Sequence, residues 1–206
     1  LLEPRGAHTA MSRPDAGPVA QARLDIITAV ELRQKYLNDE HQEIQNFAEL
    51  GVAGVRKDGG WLLENEACEK YNIKLIDFRA RSRAAPEKEM IFKADKLFNS
   101  IQYPALIHCK SGADRAGIMC ALYILLHKRE HPIIAQEQLS WKYLHVKWAK
   151  PGILDFFIEN YGKQYNKKKI EFLEWVKNQY IPEKLENDFK SVWWINRILD
   201  DFLKRE

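Results

Sequence analysis

The sequence predicts an α/β fold, with a small central sheet flanked by helices and a helical C-terminal portion. Residues 72–78 form a short segment that contains β-branched residues and is bounded by polar ones, which is typical of a strand. Residues 104–108 form a compact apolar run that indicates a second, buried strand. Because these strands alternate with helix-forming segments and everything after Pro132 has a helical pattern, the order is that of an α/β core followed by helices.

The helices are predicted from apolar periodicity and from the placement of proline and glycine. Pro86 lies where a first helical turn starts, and the pattern continues over 87–101. Residues 24–50 are rich in helix formers, whereas 51–60 contain four glycines and indicate a turn. The other predicted helices cover residues 64–71, 113–128, 133–145, 152–161, 167–180 and 182–205.

Composition excludes several classes of protein. A net charge of +3 over 206 residues is too small to indicate a nucleic-acid partner. The three cysteines, Cys68, Cys109 and Cys120, are too few for a disulfide framework and fit a reducing compartment. The longest strongly apolar run, 118–126, is far shorter than the ~20 residues that cross a bilayer. We therefore expect a cytoplasmic protein without a membrane span; the oligomeric state stays open.

The segment 108–117 joins the second strand to a helix and carries the chemistry. The strand leads directly into Cys109, and Arg115 lies at the start of the helix. A helix N-terminus presents unpaired N–H groups and the positive end of the helix dipole, so it binds phosphate readily. Gly112 lets the backbone approach the anion, and Arg115 offers a bidentate contact. The same positive field favours the thiolate of Cys109, which is the nucleophilic form.

His-Cys, five residues and then Arg resembles the signature of the cysteine-dependent phosphatases, namely the protein tyrosine and dual-specificity phosphatases. The loop is similar to that of the small bacterial members. The resemblance covers residues 59–161 and, more loosely, the chain to Glu206. It implies a phosphatase-like domain over 23–165 and a packed helical extension over 166–206. Residues 1–22 are predicted to be disordered from their prolines and glycines and their weak apolar pattern.

The resemblance also implies a mechanism without a cofactor or a metal. Cys109 attacks phosphorus and forms a phosphocysteine, which water then hydrolyses. His108 tunes the thiolate by hydrogen bonding. The substrate is a phosphorylated protein or a small phosphorylated ligand. The phosphate-binding residues that the resemblance implies are Lys110, Ser111, Gly112, Ala113, Asp114 and Arg115.

Two positions depart from the family pattern. Ala116 stands where most of the family has a Ser or Thr hydroxyl that helps the phosphocysteine to break down. The family's general acid is an aspartate in a loop after a strand, and Asp77 is the best candidate by spacing. Lesser candidates are Asp114, Glu87 and Asp95, and we expect Asp114 to hold the loop by hydrogen bonds instead.

Three other interpretations stay open. The absent hydroxyl favours a pseudophosphatase that binds phosphate without turnover. The alternating Arg79, Arg81 and Arg83 favour a phosphatase for phosphoinositides or other small polyphosphorylated ligands, or else form a solvated basic stretch. A rhodanese-like sulfur transferase also places a cysteine in an anion-binding loop, but the longer loop and His108 disfavour it. We interpret His145 and Lys147 as surface residues, with a position within reach of the site as the alternative, and Cys68 and Cys120 as core residues.

Overall fold

The computed structural model describes residues 48–53, 59–109 and 111–203, and for 48–53, 59–60 and 193–203 it describes the backbone. The predicted disordered segment 1–22 and Lys110 lie outside the described residues. Lys110 belongs to the predicted phosphate-binding segment 110–115, which we call the phosphate loop. The division of the chain at residues 22 and 165 stays a prediction.

Three parallel strands form the sheet, in the order β2-β1-β3. β1 (Ala48–Ala53) lies between β2 (Lys74–Arg79) and β3 (Ala105–His108). The predicted strands over 72–78 and 104–108 are thus confirmed, as is the α/β class. The helix prediction for 24–50 and the turn prediction for 51–60 are wrong where β1 lies, because pairing with a strand on each side outweighs the weak strand propensity of glycine and alanine.

Seven α-helices lie among the described residues. They are α1 (Gly59–Lys70), α2 (Lys88–Ser100), α3 (Asp114–Tyr123), α4 (Pro132–Gln136), α5 (Ile153–Lys168), α6 (Phe172–Asn178) and α7 (Pro182–Leu203). Helix α3 continues into a π-helical segment, Ile124–Lys128, which ends at Arg129 with a left-handed backbone. The placement of the sheet at the centre of a phosphatase-like fold stays a prediction.

The single helix predicted over 133–145 is wrong. Helix α4 ends at Gln136, and the chain then passes through a 3-10 turn, Trp141–Tyr143. Leu144 has a φ of 62°, which ends that turn and directs the next residue, His145, into the interior. The apolar periodicity of the sequence does not predict this break in the helix, because a buried polar contact overrides helix propensity here.

Helix α3 lies in the core. Residues 116–126 are all buried, so this segment is covered by protein on every side. Its packing with the segment after α4 is close at Gly117, where a Cβ would lie 3.0 Å from the carbonyl oxygen of Gln138. Packing along its whole length therefore holds α3, the helix whose N-terminus adjoins the phosphate loop, in place.

Aromatic rings join the C-terminal helices to the core. The ring of Phe157 lies 5.6 Å from that of Trp175 and 5.1 Å from that of Tyr180. The Tyr180 hydroxyl donates a buried hydrogen bond of 2.8 Å to the Pro86 carbonyl, just before α2. Burial raises the pKa of Tyr180 well above its usual range, so the hydroxyl stays a donor. This contact ties the C-terminal region to the segment that follows β2.

Gly152 is required for the turn before α5. A Cβ at this position would lie 1.7 Å from the Lys147 carbonyl oxygen. We expect Gly152→Ala to lower the free energy of unfolding by about 3 kcal/mol, as overpacking against backbone does. Denaturant unfolding measures this.

Gly162→Ala is the matched control, because its Cβ would meet only Pro132 at an ordinary 3.7 Å. In the interior of α5 this change should stabilise the protein by about 0.5–1 kcal/mol. Equal stability of the two variants would contradict the described turn.

Candidate functional site

One face of α1 contacts the ends of two strands. The Trp61 indole N–H donates to both carboxylate oxygens of Asp77, each at 3.0 Å. One turn further on, Glu64 Oε1 lies 2.6 Å from His108 Nε2. Trp61 and Glu64 are three residues apart, so they lie on the same side of the helix. Helix α1 thereby fixes the side chains of β2 and β3 that flank the candidate site.

Asp77 lies in the same row of the sheet as His108, the residue before Cys109. Asp77 and His108 are both paired with Gly51 of β1, so they occupy the same row of the sheet. With one strand between them, their backbones are about 10 Å apart. The Asp77 side chain is exposed. The sheet thus holds the predicted acid beside the end of the strand that carries Cys109.

The loop after β3 begins at Cys109. Its thiol is free, half-buried and packed against the core. Ser111 and Gly112 are exposed, and Ala113 is buried. Gly112 has a φ of 73°, a conformation that costs glycine nothing and strains other residues. The chain therefore turns sharply between the cysteine and the start of α3.

Arg115 is the second residue of α3 and is half-buried. In the part of the chain that the structure describes, its guanidinium has no carboxylate partner. No side chain caps the helix at Ala113, so the first N–H groups of α3 lack side-chain acceptors within the described residues. An N-terminus with uncapped N–H groups and a neighbouring guanidinium suits an anion.

His145 is buried between two carboxylates. Its Nδ1 lies 2.8 Å from Asp114 Oδ1 in the phosphate loop, and its Nε2 lies 2.5 Å from Asp155 Oδ2 on α5. His145 is 2% exposed and Asp155 is 1% exposed. The Gln136 amide donates to the other oxygen of Asp155 at 2.9 Å. We call this set the Asp114–His145–Asp155 relay.

The relay holds a protonated imidazole. Ionised carboxylates only accept hydrogen bonds, so both ring nitrogens of His145 act as donors. Burial lowers the pKa of His145, but hydrogen bonds and charge from Asp155 and then Asp114 outweigh it and raise the pKa above its ordinary 6.5. The positive charge of His145 thus fixes Asp114, and with it the start of α3.

The preferred interpretation of His145 as a surface residue is wrong, because the side chain is buried, whereas the alternative that it reaches the site agrees with its contact to Asp114. Asp155 was not predicted. A usable signal was present, since Asp155 stands within the apolar run 153–158, where an acidic residue needs a partner if the helix is buried. Asp114 holds the loop by a hydrogen bond, as the sequence predicted. Cys68 and Cys120 are buried, which confirms their interpretation as core residues.

The end of β2 and the segment that follows it line a groove of about 450 Å³, and Asp77, Arg79 and Arg81 are among the lining residues. Carboxylates offset part of its positive charge, because Glu87 pairs with Arg81 at 3.2 Å and Glu89 pairs with Lys93 on α2 at 2.8 Å.

The two lesser acid candidates besides Asp114 have other surroundings. Glu87 is engaged by Arg81 at the groove. Asp95 lines a different cavity, together with Leu125 and Phe172. Of the three, only Asp114 lies in the phosphate loop.

Among residues 48–53, 59–109 and 111–203, no cluster of His, Cys, Asp or Glu has the arrangement of a metal site. Within the same described part, no helix combines the length and apolar character that crossing a bilayer requires.

Comparison with known proteins gives a family. The model of the family PTP-SAK, described as Swiss Army Knife protein, DSP-PTPase phosphatase domain, matches residues 9–150. No curated protein and no solved structure matches the sequence. The family match covers more than half of the chain and includes the loop from His108 to Arg115, together with the strands and helix that position it. The chain therefore belongs to the PTP-SAK family and carries a phosphatase domain of the dual-specificity type.

Proposed function

We propose that the protein hydrolyses phosphomonoesters through a phosphocysteine intermediate on Cys109. The observation that carries this proposal is a free, half-buried thiol at the end of β3, followed within one tight loop by the N-terminus of α3 and Arg115. This arrangement supplies a nucleophile and an anion site together.

In the first step, the backbone N–H groups of residues 110–115 and the Arg115 guanidinium hold the phosphate. The Cys109 thiolate forms a bond to phosphorus, and the bond from phosphorus to the ester oxygen breaks. Asp77 gives its proton to the leaving oxygen, which departs as an alcohol or phenol. The support for Asp77 is its place in the row of His108 and its fixed, exposed carboxyl group.

In the second step, water attacks the phosphocysteine. The Asp77 carboxylate accepts a proton from that water, the bond from sulfur to phosphorus breaks, and inorganic phosphate leaves. Cys109 returns to the thiolate and Asp77 to the acid. His108, next to the nucleophile, is oriented by Glu64.

Asp114 serves as a positioning residue in this scheme. One of its oxygens is engaged by the protonated His145, and that contact orients the first turn of α3. The relay thereby aligns the N–H groups of that turn and Arg115 toward the phosphate. The leaving oxygen of the substrate needs a proton from the acid. Within the described part of the chain Asp77 has no cationic hydrogen-bond partner, since the donor to its carboxyl group is the neutral Trp61 indole.

A phosphate-binding module without turnover is the second candidate. The observation that favours it is Ala116, which is buried at the position next to Arg115 and offers no hydroxyl. Family membership favours catalysis, so we place this alternative second.

Cys109→Ser should lower kcat for an aryl phosphate by about a thousandfold or more, because a nucleophile is removed while the anion site remains. Release of inorganic phosphate measures this. Cys120→Ala, which changes a buried cysteine of α3, is the control. This variant should keep its activity per folded molecule. Tight phosphate binding by the wild type without any release of product would instead identify the binding module.

Asp77→Asn should lower kcat by about 10²–10⁴-fold for alkyl phosphates, because their leaving oxygen needs the proton. The loss should be smaller for an aryl phosphate with a strongly acidic phenol, which leaves without protonation. Asp95→Asn is the control; equal losses for both kinds of substrate would assign Asp77 a structural role.

His145→Gln should lower the free energy of unfolding by about 3–5 kcal/mol, because it leaves the buried Asp155 without its charged partner. The charge of His145 is favoured by folding, so its contribution is full below pH 6.5 and is lost as pH rises through the raised pKa.

The stability advantage of the wild type over His145→Gln should therefore shrink as the solution becomes alkaline. Urea unfolding at a series of pH values measures this difference. Glu159, and to a smaller extent Asp155, raise the pKa of Lys147 above its ordinary value. Lys147 therefore stays charged while His145 loses its proton. An advantage that grows with pH would show that His145 is neutral in the folded protein.

A further inference from the structure

Residues 141–150, which we call the aromatic-basic loop, expose three large apolar side chains. Trp141 is 66% exposed, Leu144 is 69% exposed and Trp148 is 75% exposed. The two indole rings lie 6.3 Å apart at an interplanar angle of 22°, so they stack on one another at the surface. Large apolar groups gathered in one exposed place mark an interaction surface.

The backbone of this loop is held in place, so the exposure is built into the fold. Two 3-10 turns, Trp141–Tyr143 and Lys150–Gly152, frame it. His145, at its middle, is anchored in the core by the relay. Because His145 points inward and Leu144 has a left-handed backbone, the apolar side chain of Leu144 stays in solvent.

The charge of the loop is of one sign. Lys142, Lys147 and Lys150 are exposed, and no Asp or Glu occurs from residue 138 to residue 154. Lys147 contacts Glu159 on α5, so Lys142 and Lys150 carry the net positive charge. Each exposed apolar side chain therefore has a lysine within two residues of it along the chain.

We propose that the aromatic-basic loop docks on the surface of an anionic lipid bilayer. Tryptophan is favoured where an apolar and a wet environment meet, and lysine stems follow apolar surface while the ammonium stays at the polar level. At a bilayer surface the acyl edge and the lipid phosphates adjoin, so the loop matches both at once. The attachment is peripheral and uses side chains of one loop.

The position of the loop gives this docking a consequence. His145 links the loop to Asp114, so a docked loop holds the phosphate loop close to the lipid surface. Phosphate esters of lipid headgroups are then the substrate class presented to Cys109, a consequence that rests on the proposed function. The docking itself depends only on the exposed aromatic rings and lysines.

Co-sedimentation of the full chain with vesicles tests the proposal. We expect binding to vesicles of phosphatidylcholine with phosphatidylserine, and much weaker binding to phosphatidylcholine alone. The double variant Trp141→Ala, Trp148→Ala should lose about tenfold or more in partition coefficient. Lys142→Gln with Lys150→Gln should lose about thirtyfold, at the usual contribution of each lysine near an anionic surface.

Ile181→Ala with Val192→Ala removes exposed apolar side chains elsewhere and should bind as the wild type does. Thermal unfolding shows that each variant is folded, and the lysine pair serves if the tryptophan pair does not fold. Hydrolysis of a soluble aryl phosphate should be unchanged in the tryptophan variant. Cys109→Ser should bind vesicles normally, so a failure of the proposed catalysis leaves the docking result readable.

Three results would overturn the proposal. The first is wild-type protein that does not sediment with the anionic vesicles. The second is binding that the tryptophan variant retains in full, which would mean that lysines alone attract the protein. The third is a dimer that Trp148→Ala dissociates, which would assign the loop to a second copy of this chain.

Discussion

The buried imidazolium of His145 connects three parts of the molecule that are distant in sequence. It contacts Asp114 at the start of α3 and Asp155 at the start of α5, and it lies at the middle of the 141–150 loop. Because an unpaired charge in the interior costs several kcal/mol, the buried carboxylate of Asp155 depends on this cation. The same cation holds the partly exposed Asp114 by a hydrogen bond. The place of the phosphate loop and the shape of the neighbouring surface loop therefore follow from the same buried contact.

This contact orients more than it stabilises. A buried ion pair gains attraction but loses hydration, and the two are of similar size. The contact is important because it is directional. Each ring N–H of His145 points along one line and so determines where its carboxylate partner lies. On the other side of the site, Trp61 and Glu64 of α1 do the same for Asp77 and His108 with contacts nearer to solvent. Cys109 thus lies between the buried contacts of His145 and the more exposed contacts of Trp61 and Glu64.

The phosphate loop itself could be predicted from the sequence because its chemistry is local. Cys109, Gly112 and Arg115 lie within one strand-to-helix connection, and their spacing predicts an anion site. The segments around it were predicted for the same reason, since β2, β3 and α2 have clear apolar patterns. β1 was not, because Gly51 and its neighbours become a strand only through pairing on both sides.

The sequence by itself determined the α/β class and the strand-to-helix connection from Cys109 to Arg115, and it predicted that Asp114 makes hydrogen bonds. Only the tertiary structure decided that His145 is a buried cation and that Asp155 is its partner, because burial depends on residues from α3, α4 and α5 that meet in space. The tertiary structure also decided that residues 133–145 do not form one helix, and that Trp141 and Trp148 remain at the surface. Apolar periodicity reports a preference for burial, but the anchoring of one polar residue determined which side chains were left outside.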